Sequence, residues 1–251
     1  MAPGFLPKLF RRLDRKRSAK RREPSLPVDL QSEAKFVAAY ERCRAYTMTS
    51  PERMYALWNA ARHVVAAGIA GDFVECGVWK GGSSMLAALA LADAGDVTRP
   101  LWLYDTFEGM SEPTADDVDH KGHDARPEWE AAKRTGEGWC ASPLDDVRAA
   151  LATTGAAKER LRFVAGKVEA TIPREIPEKI ALLRLDTDWY ESTKHELQHL
   201  WPRLSRGGVL LIDDYGHWAG ARRAVDEFLA TQKPPLLLDR IDYTGRIALK
   251  P

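Results

Sequence analysis

No stretch of the 251-residue chain is apolar for long enough to cross a bilayer, and the start of the chain lacks an apolar core followed by a small-residue cleavage site. A membrane-spanning or secreted protein is therefore not expected. Cysteine is scarce: Cys43, Cys76 and Cys140 are odd in number and far apart, which excludes both a disulfide framework and a zinc site built on paired cysteines. They read as reduced thiols of a cytoplasmic protein. Internal repeats are absent too, so a solenoid is excluded.

What is present starts with charge. The formal net charge is only +1, yet residues 1–23 hold nine Lys/Arg against Asp14 and Glu23, which leaves the rest of the chain acidic. Basic charge confined to an arm, and not spread over a folded face, argues against a nucleic-acid partner. We read residues 1–28 as a basic arm and 29–251 as one α/β domain, a length that suits a single large core. Phe5, Leu6, Leu9, Phe10 and Leu13 are interleaved with the arm's cations, a spacing compatible with an amphipathic helix on an anionic membrane surface or a protein partner. A homo-oligomer is compatible with the same composition.

The domain alternates apolar strands with helical patterns. A helical stretch from about Leu30 to Ala70 carries a start signal at Ser50-Pro51-Glu52. Strands are expected at Gly71–Cys76, Leu101–Asp105, Leu161–Ala165, Ile180–Leu185 and Gly208–Ile212, with helices at Met85–Asp93, Leu144–Leu151, Ser192–Leu204 and Ala221–Leu229. Leu236–Leu238 and Arg246–Leu249 are expected to close the sheet as a hairpin-like edge. Such βαβ units dictate a mostly parallel sheet with helices on both faces. The stretch of about 108–140 is rich in Asp, Glu, His, Gly and Pro with no period, and reads as a lid.

In such sheets ligands sit beyond the carboxyl ends of the strands. The first strand ends in Glu75-Cys76-Gly77 and leads to Gly81, Gly82 and Ser83; the second ends in Asp105. Glycines admit a ligand close to the backbone, the helix start offers free N–H groups to a carboxylate, Glu75 suits an ammonium, and Asp105 suits ribose hydroxyls. The glycines lack pyrophosphate spacing, so S-adenosylmethionine fits better than a dinucleotide. Two later strands end in Asp186 with Asp188, and in Asp213 with Asp214. Each acid alone could be a helix cap, but four at neighbouring strand ends repel one another unless protons or a cation intervene. Magnesium accepts such carboxylates. We assign Asp186, Asp213 and Asp214 as metal ligands and Asp188 as general base.

Together the segments Phe73–Ser83, Tyr104–Met110, Leu183–Thr193 and Gly207–Gly216 resemble the macrocin, mycinamicin and novobiocin O-methyltransferases, from about Tyr46 to about Phe228. The resemblance implies a Rossmann-like class I methyltransferase fold with a seven-stranded sheet, S-adenosylmethionine as donor and bound Mg2+, with the same four acids in the same roles. It also implies a segment closing over the donor, here Tyr46–Ser50, which adds Thr47 and Met48 to the donor site. The expected reaction is methyl transfer to a hydroxyl of a small-molecule acceptor. Asp116, Asp117, His120 and Asp124 on the lid favour a sugar; an aromatic pocket would favour a catechol or other phenol. His120, His123 and His217 are further candidates for taking the proton. A non-catalytic scaffold of the same fold would have lost the acids or the glycine turn, and both are present.

Overall fold

The computed structural model describes residues 26–136 and 138–251. Five parallel strands form the frame: β1 (Asp72–Cys76), β2 (Leu101–Asp105), β3 (Leu161–Ala165), β4 (Ile180–Leu185) and β5 (Leu204–Ile212). β7 (Arg246–Leu249) pairs antiparallel with β5, and β6 (Asp239–Arg240) with β7, giving the order β3-β2-β1-β4-β5-β7-β6. The seven-stranded, mostly parallel sheet expected from the sequence is present. Its order reverses direction between β1 and β4, the point at which such sheets bind ligands.

Alternation along the strands builds two cores. Phe73, Leu182 and Val209 face one side of the sheet, where they pack with α1 (Ala34–Cys43), α2 (Pro51–Ala66), α3 (Gly82–Asp93) and α5 (Leu144–Ala152). Val74, Leu183 and Leu210 face the other, against α7 (Tyr190–Leu200) and α8 (Ala219–Thr231). All six residues of β4 are buried. Burial on both faces is why its sequence reads as a continuous apolar run instead of alternating.

The start signal at Ser50 divides the long helical stretch into α1 and α2: Ser50 caps α2 by accepting from the Arg53 N–H at 3.2 Å, and the preceding Thr47 is extended. Three expectations are corrected. The lid contains a helix, α4 (Arg126–Thr135), whose start is held by Asp124 accepting from the Arg126 N–H; its low apolar content hid the period. Leu236–Leu238 is not a strand: Leu236 and Leu238 pack on the core, and the ladder begins at Asp239. The α7 helix also ends at Leu200, ahead of the Pro202 turn, so Leu204 opens β5. The short α6 (Val168–Thr171) completes the elements. No helix of the described residues is long and apolar enough to cross a membrane. The amphipathic reading of the arm lies outside the described residues.

Candidate active site

The carboxyl ends of β1, β2, β4 and β5 open into one cavity of about 690 Å³. Gly77, at φ +84°, turns the chain off β1, and a Cβ there would overlap the carbonyl oxygen of Asp186. Gly82 is also crowded, by the Tyr46 carbonyl, 2.6 Å from where a Cβ would stand, which brings the extended Thr47–Ser50 strap over the start of α3. Asp105 braces this turn: its Oδ2 accepts from the N–H groups of Val78 and Trp79 at 2.7 and 2.9 Å, and its Oδ1 from Phe107 at 2.8 Å. The Thr106 hydroxyl is a fourth, long donor at 3.5 Å from Oδ1, the contact that a ligand hydroxyl would displace.

Of the residues assigned to the donor, Thr47, Met48, Gly77, Ser83 and Asp105 line the cavity. Glu75 and Gly81 do not. Gly81 holds φ +89° at the start of α3, where a Cβ would press on Leu151, so its task is to turn the chain. Glu75 is fully buried and faces Arg184, its register partner across β1 and β4, with Nη1 to Oε1 at 2.7 Å. The ammonium it seemed suited to is supplied by the protein's own guanidinium.

Arg184 is the residue that sequence reasoning missed. It is buried within an apolar strand and reaches Asp186 (2.7 Å), Asp213 (2.6 Å) and the Thr49 hydroxyl (2.9 Å) as well as Glu75. A lone cation inside an otherwise apolar strand was the available signal. The carboxylates thus divide differently from the sequence assignment. Asp213 gives Oδ1 to Arg184 and Oδ2 to Arg53, whose Nε also holds Asp242 at 3.0 Å. Two guanidinium groups need compensation when buried, and Asp213 provides it. Asp186, Asp188 and Asp214 converge instead, with one ligand oxygen from each lying within 4.8 Å of the others; among the described residues they are the group able to hold a metal ion.

The electrostatics of that trio are unusual for surface acids. Asp188, at φ +68°, lies beside Asp214 and the Trp218 side chain; burial, then the charge of Asp186, pushes its carboxyl up to about 7. Asp214 is raised well above the carboxylate range by burial and by Asp188 and Asp186. Without a cation, the Asp188–Asp214 pair therefore holds protons jointly.

Asp116, Asp117 and Asp124, the lid acids read as acceptor contacts, do not line the cavity, whereas Asp119 and Glu128 do. Asp117 is fully buried; its Oδ2 accepts from the Thr114 N–H and hydroxyl, and its Oδ1 from the Tyr190 N–H at 2.9 Å, so that it caps α7 from a distance in sequence. Asp116 is paired with Arg223, and Asp124 caps α4. Aromatic side chains fill the acceptor side: Trp218 lies edge-on to Trp189 with centroids 5.0 Å apart, and Trp139 sits 5.8 Å from Trp189. His217 lies at the wall, 3.1 Å from the Tyr243 hydroxyl, and His120 packs beside it. His123 is tied to Asp119 on the exposed lid. Replacing Asp117 with alanine strands the Tyr190 and Thr114 N–H groups. The expected cost is about 1–3 kcal/mol, read by urea unfolding, together with faster proteolytic cutting between residues 110 and 125.

A twisted, mostly parallel seven-stranded sheet with a glycine turn after β1 and an acid after β2 defines a class I methyltransferase fold. The sequence profile of the macrocin-O-methyltransferases (TylF) matches residues 8–249. An 8-demethyl-8-(2,3-dimethoxy-alpha-L-rhamnosyl)-tetracenomycin-C 4'-O-methyltransferase of Streptomyces olivaceus is 38% identical over 201 residues, 80% of this chain and 74% of that protein. The mycinamicin III 3''-O-methyltransferase of Micromonospora griseorubida is 33% identical over 185 residues, 73% and 70% of the two chains. Among solved structures, the O-methyltransferase NovP is 30% identical with a TM-score of 0.71 over 82% of both chains. The chain belongs to the macrocin-O-methyltransferase family and is an O-methyltransferase.

Proposed function

We propose that the protein transfers the methyl group of S-adenosylmethionine to a sugar hydroxyl of a glycosylated metabolite, with a divalent cation, magnesium, held by Asp186, Asp188 and Asp214. The observation that carries this reading is the convergence of those three acids in the same cavity as the glycine turn. Their chemistry fits a hard cation, since all-oxygen donors suit magnesium and the raised Asp188 and Asp214 carboxyls call for positive charge or protons. When bound, such a cation lowers the pKa of an acceptor hydroxyl and orients it. Gly77 and Ser83 would receive the methionine end of the donor, Asp105 the ribose, and Thr47 and Met48 would cover it. Asp188, ionised once the cation is bound, would take the acceptor's proton on its oxygen turned away from the cation. Asp213 would become a ligand only by giving up Arg53.

The relatives named for rhamnosyl and mycinamicin substrates favour a sugar acceptor. Trp139 and Trp218 at the cavity wall favour a second reading, methylation of a phenol such as a catechol, because flat rings stack on indoles. The three free cysteines suit the cytoplasm. The basic arm, lying outside the described residues, is kept as a proposed contact for an anionic surface or a partner, and a homo-oligomer is proposed with it.

The test is transfer of labelled methyl from S-adenosylmethionine to a panel of glycosylated metabolites and catechols, with magnesium and with a chelator. Sugar methylation lost on chelation is the expected result. Turnover indifferent to chelation would remove the cation, and turnover on catechols alone would move the acceptor to the second reading.

A further inference from the structure

Behind the carboxylate trio lies a group that the proposed reaction does not use. Glu196, on the sheet-facing side of α7, is fully buried; its Oε1 accepts from the Thr187 hydroxyl at 2.9 Å, and its Oε2 has no hydrogen-bond partner among the described residues. The buried thiol of Cys76 is the other polar group beside it, and the charged groups that act on it most, Glu169 and Asp186, are both acids. An ionised carboxylate in that position would be prohibitively costly, so the side chain is a neutral acid. A leucine would fill the space at less cost, and a polar group kept there calls for a reason.

Thr187 supplies it. This residue separates Asp186 from Asp188, and Asp188 sits in the left-handed region that non-glycine residues avoid. Such a turn relaxes unless its neighbours hold it. The Thr187 carbonyl accepts from the Trp189 N–H at 2.8 Å, and its hydroxyl is held by Glu196. We propose that Glu196 is a positioning residue, which fixes Thr187 from behind and so sets the separation of Asp186 and Asp188. It touches no reacting atom. The inference rests on the reading of Asp186, Asp188 and Asp214 as a cation site.

The test compares Glu196→Gln, which stays neutral and can still accept from Thr187, with Glu196→Met, which fills the space without a hydrogen bond, and with Thr187→Val, which removes the same bond from the other side. Terbium binding, sensitised by Trp189 and Trp218, reads the cation site without turnover. Hydrogen exchange of the segment 186–189 in cation-free protein reads the turn itself. Glu196→Gln should match the wild type in both. Glu196→Met and Thr187→Val should bind terbium roughly tenfold or more weakly, the usual loss when the support of a metal ligand is removed, and should exchange faster at the turn, while affinity for S-adenosylmethionine is kept. Wild-type terbium affinity and exchange in Glu196→Met would overturn the proposal, as would a Gln variant as impaired as Met. If the wild type itself binds no terbium, the cation reading fails, and the exchange comparison alone decides the role of Glu196.

Discussion

Replacing Arg184 with methionine should cost about 3–5 kcal/mol of folding stability, the loss expected when one partner of a buried ion pair is removed, and should leave no methyl transfer. The argument is one of orphaned charge. Glu75 is fully buried and its strongest compensation is the Arg184 guanidinium; burial already raises its carboxyl, with Arg184 acting in the opposite direction. Without Arg184, Glu75 must bind a proton, Asp186 and Asp213 lose a shared cation, and Thr49 loses its anchor. A lower urea midpoint with an unchanged slope would mark the loss. Adding Glu75→Gln to Arg184→Met should recover part of the stability, since the orphan is then neutral, but not the activity. Arg184→Lys keeps the charge and forfeits the planar fork that serves several acceptors together, so an intermediate stability is expected. A methionine variant as stable as the wild type would show that this network is incidental.

Asp214→Asn should lower turnover by roughly two to three orders of magnitude, the several kcal/mol that a cation contributes to such a step, without lowering stability. The fold is spared because Asp214, raised well above the carboxylate range by burial and its acidic neighbours, already holds a proton in the cation-free protein, and asparagine is a neutral side chain of the same shape. The same electrostatics predict a pH dependence for the wild type. Asp188 is raised to about 7 from the usual carboxylate range. In the cation-free protein its protonated form favours the folded state, a contribution complete below about pH 4 and lost as the pH rises to about 7. A cation competes with that proton, so magnesium should raise the melting temperature more at pH 8 than at pH 6. Equal shifts at both values, or none in the wild type, would contradict the assignment, and Asp214→Asn should show little shift at either.

How much of this was legible in the sequence depends on whether a residue's partner is near it in the chain. The central strands were legible because burial on both faces leaves continuous apolar runs, as in Ile180–Leu185. The turn at Gly77 and the acids Asp186 and Asp214 were legible because strand ends point to the site in any sheet of this kind. Glu75 was placed at the donor because nothing in β1 announces Arg184, which lies 109 positions away and meets it only through strand register. Asp117 was read as an acceptor contact for the same reason: it caps a helix 73 positions away. The separation of Asp213 from the trio depends on Arg53, 160 positions away, in a helix whose start was legible but whose approach to the end of β5 was not. Glu196 sits within a helical pattern that marks a face but not the depth of burial.

The strap between α1 and α2 has a kinetic consequence. Thr49 is bonded to Arg184, and Ser50 donates to Asp242 at 2.7 Å, so the passage over α3 is latched at two consecutive residues. Arg53 couples the two catches by tying Asp242 to Asp213, so opening the strap disturbs both. With the donor seated beneath it as proposed, opening of that doorway is the step expected to pace the exchange of old cosubstrate for new.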